Sequence, residues 1–180
     1  MKPTRRGRVG ALVAILVIAS GLCGFGEPKR LKIGDPIPEV EVSDFHGKTM
    51  KLPQDLKGKV ALLRFWALDC SQCSKQLLFS LDRLYQKYKE NGFIPVAIHE
   101  GRPENCAEKL RQFGSLSFPM LQDELRTVAL RFGLVGLPTT YIIDEKGVVR
   151  EKIIGEVDLE QLEKILTTVL YKGGSYDSAH

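Results

Sequence analysis

Four cysteines in 180 residues are too few for a disulfide-stapled scaffold. Past the N-terminal stretch only Cys70, Cys73 and Cys106 remain, beside His46, His99 and His180. None of these forms a second close pair, so Cys70 and Cys73 lack the partners that a structural zinc site needs, and no metal is expected. Past its basic N-terminal arm the chain also lacks a standing charge. Its 26 Lys and Arg fall to 22 once Lys2, Arg5, Arg6 and Arg8 are set aside, against 22 Asp and Glu. A near-neutral body offers no extended basic face, which argues against nucleic acid as a partner. Internal repeats and low-complexity tracts are absent as well. What is there, at 43% hydrophobic residues, is enough for one packed domain plus an appendage.

The appendage comes first. Lys2, Arg5, Arg6 and Arg8 precede an uncharged apolar run, Val9 to Gly26, the pattern of an export signal. The run is 18 residues, near the lower limit for spanning a bilayer. Ala19-Ser20-Gly21 offers a small-residue cleavage site, whereas Leu22 before Cys23 fits a lipoprotein signal poorly. Residues 1–26 therefore read as a signal peptide or an uncleaved signal anchor, the latter slightly favoured. Basic residues on its N-terminal side keep that end in the cytoplasm and send the domain outward. Residues 27–38, with Pro28, Gly34, Pro36 and Pro38, read as a linker, 39–172 as the domain and 173–180 as a flexible tail.

The domain is organised around Cys70-Ser71-Gln72-Cys73. The apolar run Val60 to Trp66 predicts a buried strand leading into it. After it, Leu77, Leu78, Leu81, Leu84, Tyr85 and Tyr88 recur at helical spacing, which predicts a helix from about Cys73 to Glu90. Cys70 is thus expected at or just before a helix N-terminus, where unpaired N–H groups and the helix dipole favour a thiolate. A C-x-x-C placed there can close a disulfide within one turn, with the first thiol exposed and activated.

The remaining pattern alternates. Val40 to Leu52 predicts a small hairpin turning at Asp44 to Gly47, and Phe93 to His99 a second buried strand. Glu104 to Phe113 reads as a short helix and Ser117 to Leu121 as a short extended piece. Asp123 to Phe132 reads as a helix, with Leu125, Val128, Ala129 and Phe132 on one side and Gly133 as its stop. Thr139 to Ile143 and Val148 to Ile154 read as a hairpin. Asp158 with Gln161 caps a last helix to about Tyr171. Strands alternating with helices imply an α/β domain with a central mixed sheet covered on both faces.

Two motifs carry a family resemblance. Phe65-Trp66-Ala67 leading into Cys70-Ser71-Gln72-Cys73 resembles the FWA-x-WCxxC core of the membrane-anchored, thioredoxin-like TlpA/ResA group. Gly136-Leu137-Pro138-Thr139-Thr140-Tyr141-Ile142-Ile143-Asp144-Glu145-Lys146-Gly147 is similar to that group's GLPTT-[FY]-x-ID-x-x-G segment. The resemblance spans about residues 33 to 171. It implies a thioredoxin-like fold with an N-terminal hairpin and an inserted strand–helix segment. It implies thiol–disulfide exchange outside the bacterial cytoplasm, in the periplasm or on the outer face of the membrane. Cys70 would be the nucleophile, Cys73 the resolving thiol, and their redox-active disulfide would serve in place of a cofactor. Pro138 would be a cis-proline, and Trp66, Leu137 and Pro138 would bind the substrate. Partners would be protein disulfides, with apocytochrome c among the group's targets, and a membrane thiol reductant of the DsbD/CcdA kind.

The departures from that pattern fall around the cysteines. Asp69 stands where the family carries Trp. Gln76 replaces a Glu that helps titrate the site in the ResA subgroup, and Arg64 replaces the buried Asp of thioredoxin. Asp69 beside Cys70 disfavours a thiolate, and Arg64 favours one if it points toward the site. The bland alternative has Arg64 along the surface and Asp69 solvated. Cys106 and His99 are expected to be structural. Three other functions compete. A redox-inactive anchored binding module fits the altered flanks. A peroxidase would need P-x-x-x-T-x-x-C, where this chain has Leu63 and Ala67. A copper chaperone would need a wider C-x-x-x-C.

Overall fold

Six apolar residues and one arginine, Val60–Trp66, form the strand on which the architecture is built (β3), and all seven are buried. The computed structural model describes residues 30–102 and 107–172. The expectations for residues 1–29, for Cys106 and for the tail lie outside these. A short antiparallel hairpin, β1 (Val40–Ser43) with β2 (Thr49–Leu52), precedes β3. Then follow α1 (Lys75–Tyr88), β4 (Phe93–Glu100), α2 (Ala107–Arg111), β5 (Met120–Asp123), α3 (Thr127–Arg131), β6 (Thr139–Ile143), β7 (Val149–Ile154) and α4 (Leu159–Lys172).

The main sheet has the order β5-β4-β3-β6-β7. β3, β4 and β5 run parallel, while β6 is antiparallel to β3 and β7 to β6. With both faces covered, β3 and β4 need no polar side, which is why their sequences read as near-continuous apolar runs. Alternation along β3 divides the core. Leu63 and Phe65 join Ile98, Phe132 and Tyr141 on one face, closed by Val40, Val42 and Leu52 of the hairpin. Val60, Leu62 and Trp66 face the other way, onto Leu78 and Leu81 of α1 and Leu162 and Leu166 of α4. Full burial of each such leucine contributes roughly 2 kcal/mol. An isolated bridge between Asp44 and Leu121 ties the hairpin to the β5 edge.

The expected hairpin, alternating strands and last helix are present. Asp158 Oδ1 accepts the Gln161 N–H at 2.8 Å, as the capping motif predicts. Two helices differ from expectation. α1 starts at Lys75, because Ser74 takes the cap and its hydroxyl accepts the Leu77 N–H at 3.2 Å. The segment expected to be helical from Asp123 begins only at Thr127. Asp123 ends β5 instead, where its carboxylate accepts from Ala129 N and Thr127 Oγ1. Arg126, with φ 58°, breaks the path between them, and Leu125 is left 69% exposed.

Candidate active site

The C-terminal end of β3 carries the cysteines. Its partners there are His99 of β4, paired with Trp66, and Thr139 of β6, paired with Phe65. Parallel β4 and antiparallel β6 thus bring the end of one strand and the start of another to the same rim. Leu137–Pro138, a cis peptide just before β6, sits on that rim as expected. The Pro138 carbonyl accepts from Gly155 N at 2.8 Å, and the Gly136 carbonyl from the Thr139 hydroxyl at 2.7 Å. Leu137 is partly buried and packs against both core faces.

Cys70 and Cys73 are joined as a disulfide, with Cα atoms 5.3 Å apart. The connecting turn is closed by Cys73 N donating to the Cys70 carbonyl at 3.3 Å. Cys70 is half-buried and Cys73 is 4% exposed. The cysteine turn lies ahead of α1, a correction to the expected start near Cys73. It is Cys73, not Cys70, that stands against the helix N-terminus, because Ser74 holds the cap. Lys75 adds a cation here: its Nζ donates to the Cys70 carbonyl at 3.4 Å.

The loop from β3 to Cys70 is tied from below. Leu68 N donates to His99 Nε2 at 3.2 Å. His99 is buried, and its ring meets Trp66 edge-on at 5.1 Å. An Nε2 that accepts places the ring proton on Nδ1, which among the described residues has no partner. Burial pushes the imidazole below its ordinary pKa, and the Asp69 charge partly opposes this. Asp69 is itself exposed. The next residue, Glu100, points to the opposite face. Its buried carboxylate pairs with Arg126 Nε at 2.7 Å. Burial raises its pKa, and Arg126 opposes the rise.

One expected role needs correction, and one alternative falls away. Trp66, expected to bind substrate, is 1% exposed, its ring packed between His99 and Phe113. It belongs to the core beneath the rim, because the strand alternation turns it onto the α1 face. Arg64 does not lie along the surface. It shares that face, with a side chain 1% exposed. Arg64 Nη2 donates to Glu156 Oε2 at 2.6 Å and Nη1 to the Thr140 hydroxyl at 3.3 Å. Burial pushes the guanidinium below its ordinary value, and the Glu156 carboxylate opposes that. The same Glu156 oxygen accepts the Ser74 N–H at 3.0 Å. Gln76 is exposed on the first turn of α1 and, with Ser74, Glu156 and Val157, lines a cleft of about 360 Å³.

Glu156 and Lys75 were missed by sequence reasoning. A cation inside an apolar strand announces that a carboxylate must come to it. Among 22 acidic residues the sequence does not say which one.

A disulfide of C-x-x-C spacing at the C-terminal end of a central parallel strand, directly ahead of a helix, defines a thioredoxin-like thiol:disulfide oxidoreductase. The chain belongs to the AhpC/TSA family, whose model matches residues 33–152. It is 35% identical over 173 residues to the thiol-disulfide oxidoreductase ResA of Bacillus thuringiensis strain Al Hakam, covering 92% of this chain and 98% of the relative. The same-named protein of Geobacillus kaustophilus is 29% identical over 163 residues, covering 88% and 92%. A crystal structure described as a thiol:disulfide interchange protein of the DsbE type, from Chlorobium tepidum, superposes with a TM-score of 0.70 at 28% identity, covering 78% of this chain and 99% of that one.

Proposed function

We propose that the Cys70–Cys73 couple reduces disulfides of partner proteins outside the cytoplasm, with the domain held at the membrane by residues 1–26. The observation that carries this reading is the asymmetry of the disulfide: Cys70 is half-exposed on the rim and Cys73 is buried behind it. In the reduced protein the Cys70 thiolate attacks one sulfur of the partner disulfide. A mixed disulfide forms, and the partner's second sulfur leaves as a thiolate and takes a proton. The Cys73 thiolate, its own proton given to solvent, then attacks Cys70 Sγ. The Cys70–Cys73 bond re-forms and the partner's first sulfur departs as a thiol. Two electrons and two protons have passed to the partner.

In this reading the backbone at Leu137 and Pro138 receives an extended segment of the partner, as an added strand would be received. Another dithiol protein must return the electrons, and a membrane reductant of the DsbD/CcdA kind has the matching chemistry. Apocytochrome c is a candidate target. The likeness to proteins named thiol-disulfide oxidoreductase ResA supports the exchange chemistry. The basic arm before the Val9 to Gly26 run supports the export.

Two measurements test the proposal. The purified domain is expected to catalyse insulin disulfide reduction by a dithiol, and Cys70→Ser to abolish it. Full-length protein is expected in the membrane fraction, with protease reaching the domain from outside only. An inactive domain would leave the redox-inactive binding module as the reading, and a cytosolic one would remove the extracytoplasmic role.

A further inference from the structure

We propose that Glu156 is a positioning residue for the dithiol–disulfide equilibrium, acting through Arg64 and the Ser74 N–H on the buried sulfur of Cys73. The inference rests on reading Cys70–Cys73 as the redox couple. Arg64 occupies the row Val60, Leu62, Arg64, Trp66 of β3, on the face that packs α1 and also holds Cys73. A guanidinium buried this deeply needs a counter-charge close by. The connection between β7 and α4 delivers it. Glu156 Oε2 lies 2.6 Å from Arg64 Nη2 and 3.0 Å from the backbone nitrogen of Ser74. Ser74 directly follows Cys73 and caps α1. One carboxylate oxygen therefore joins the central strand, the last connection and the residue next to the resolving cysteine.

The consequence is electrostatic. Reduction of the disulfide adds two electrons and two protons, and any fraction of the dithiol held as thiolate is stabilised by nearby positive charge. Glu156 cancels the Arg64 charge at this point. Removing the carboxylate leaves a cation under the Cys73 turn and favours the dithiol. Removing the guanidinium leaves an anion on the Ser74 N–H and favours the disulfide. The two single substitutions must then shift the same equilibrium in opposite directions. A contact that only braces the fold would not reverse sign.

The test is the equilibrium of the domain with reduced and oxidised glutathione at neutral pH, read by trapping free thiols. In wild type, 2 GSH and the Cys70–Cys73 disulfide exchange for GSSG and the dithiol. Glu156→Gln keeps an oxygen for the Ser74 N–H and is expected to move the constant toward dithiol about ten-fold, about 30 mV more oxidising. Arg64→Met is expected to move it toward disulfide. The double variant Arg64→Met/Glu156→Gln, which buries no unpaired charge, is expected within about two-fold of wild type, under 10 mV. If Glu156→Gln does not fold, Arg64→Met and the double variant carry the test, since Glu156 is a third exposed and tolerates the loss of its partner. Shifts of the same sign, or single variants that fold and stay within the two-fold band, would overturn the inference and leave the redox reading intact. A wild-type disulfide that does not exchange at all would overturn both.

Discussion

His99 Nε2 lies 3.2 Å from Leu68 N and accepts its hydrogen, which fastens the loop carrying Cys70 to the end of β4. The acceptor exists only while the ring is neutral. Its burial against Trp66 keeps it so by holding the imidazole below its ordinary pKa. The rim that presents Cys70 is therefore built over a base that resists protonation.

A histidine whose folded pKa is depressed contributes stability that is complete above its unfolded pKa of ~6.5 and is lost as pH falls below that value toward the folded one. Wild-type protein is expected to lose unfolding free energy between about pH 7.5 and pH 5.5, and His99→Gln to lose less. Glu100, with its raised pKa, slopes the other way in both proteins, so the difference between them isolates His99. Urea titrations at the two pH values give the answer. Equal losses would mean that His99 does not control the loop.

Exposure makes Cys70 the expected attacking thiol, since Cys73 is buried behind it. Alkylation of the reduced domain at mildly acidic pH is expected to label Cys70 ahead of Cys73, read by peptide mass. Cys73→Ser should trap mixed disulfides with partner proteins, and Cys70→Ser should trap none. Labelling that begins at Cys73 would reverse the assignment.

Asp69 is exposed, and its charge raises the pKa of His99 against the larger effect of burial. Asp69→Asn is expected to lower the His99 pKa, followed by the imidazole proton resonances against pH. Beside Cys70 the same change should lower the thiol pKa only slightly, because solvent screens an exposed charge. A marked fall in that pKa, followed by thiolate absorbance against pH, would show Asp69 turned inward on reduction.

Arg126 combines a left-handed backbone, φ 58°, with an ion pair to buried Glu100 at 2.7 Å. Arg126→Gly relieves the backbone by roughly 1 kcal/mol but leaves Glu100 buried without its partner. The net effect is expected to be destabilising by about 1–2 kcal/mol at neutral pH. The loss should shrink as pH falls through the raised folded pKa of Glu100, since protonation removes the unpaired charge. Chemical melts near neutrality and near pH 5 compare the two states. A loss independent of pH would assign it to α3 packing instead.

The core strand Val60–Trp66, the alternation of strands and helices, and the cysteine pair at the strand end are legible in the sequence, because they depend on local periodicity and spacing. The cap of α1 was legible too late in the motif: Ser74 outcompetes Cys73 for the cap by offering the Leu77 N–H a hydroxyl. The remainder depends on contacts between residues far apart in the chain. Arg64 reads equally well as a surface charge or an active-site cation until β3 is enclosed by α1 and α4. Glu156 has no motif at all; 92 residues separate it from Arg64, and the two meet only because β7 returns antiparallel beside β6. Trp66 shows the same limit from the other side. Its place in the motif suggested contact with substrate, but pleat parity sends every second residue of β3 to the α1 face, and the helix covers it. Periodicity fixes which side of an element is apolar, whereas the partner of a buried charge is fixed by where distant segments cross.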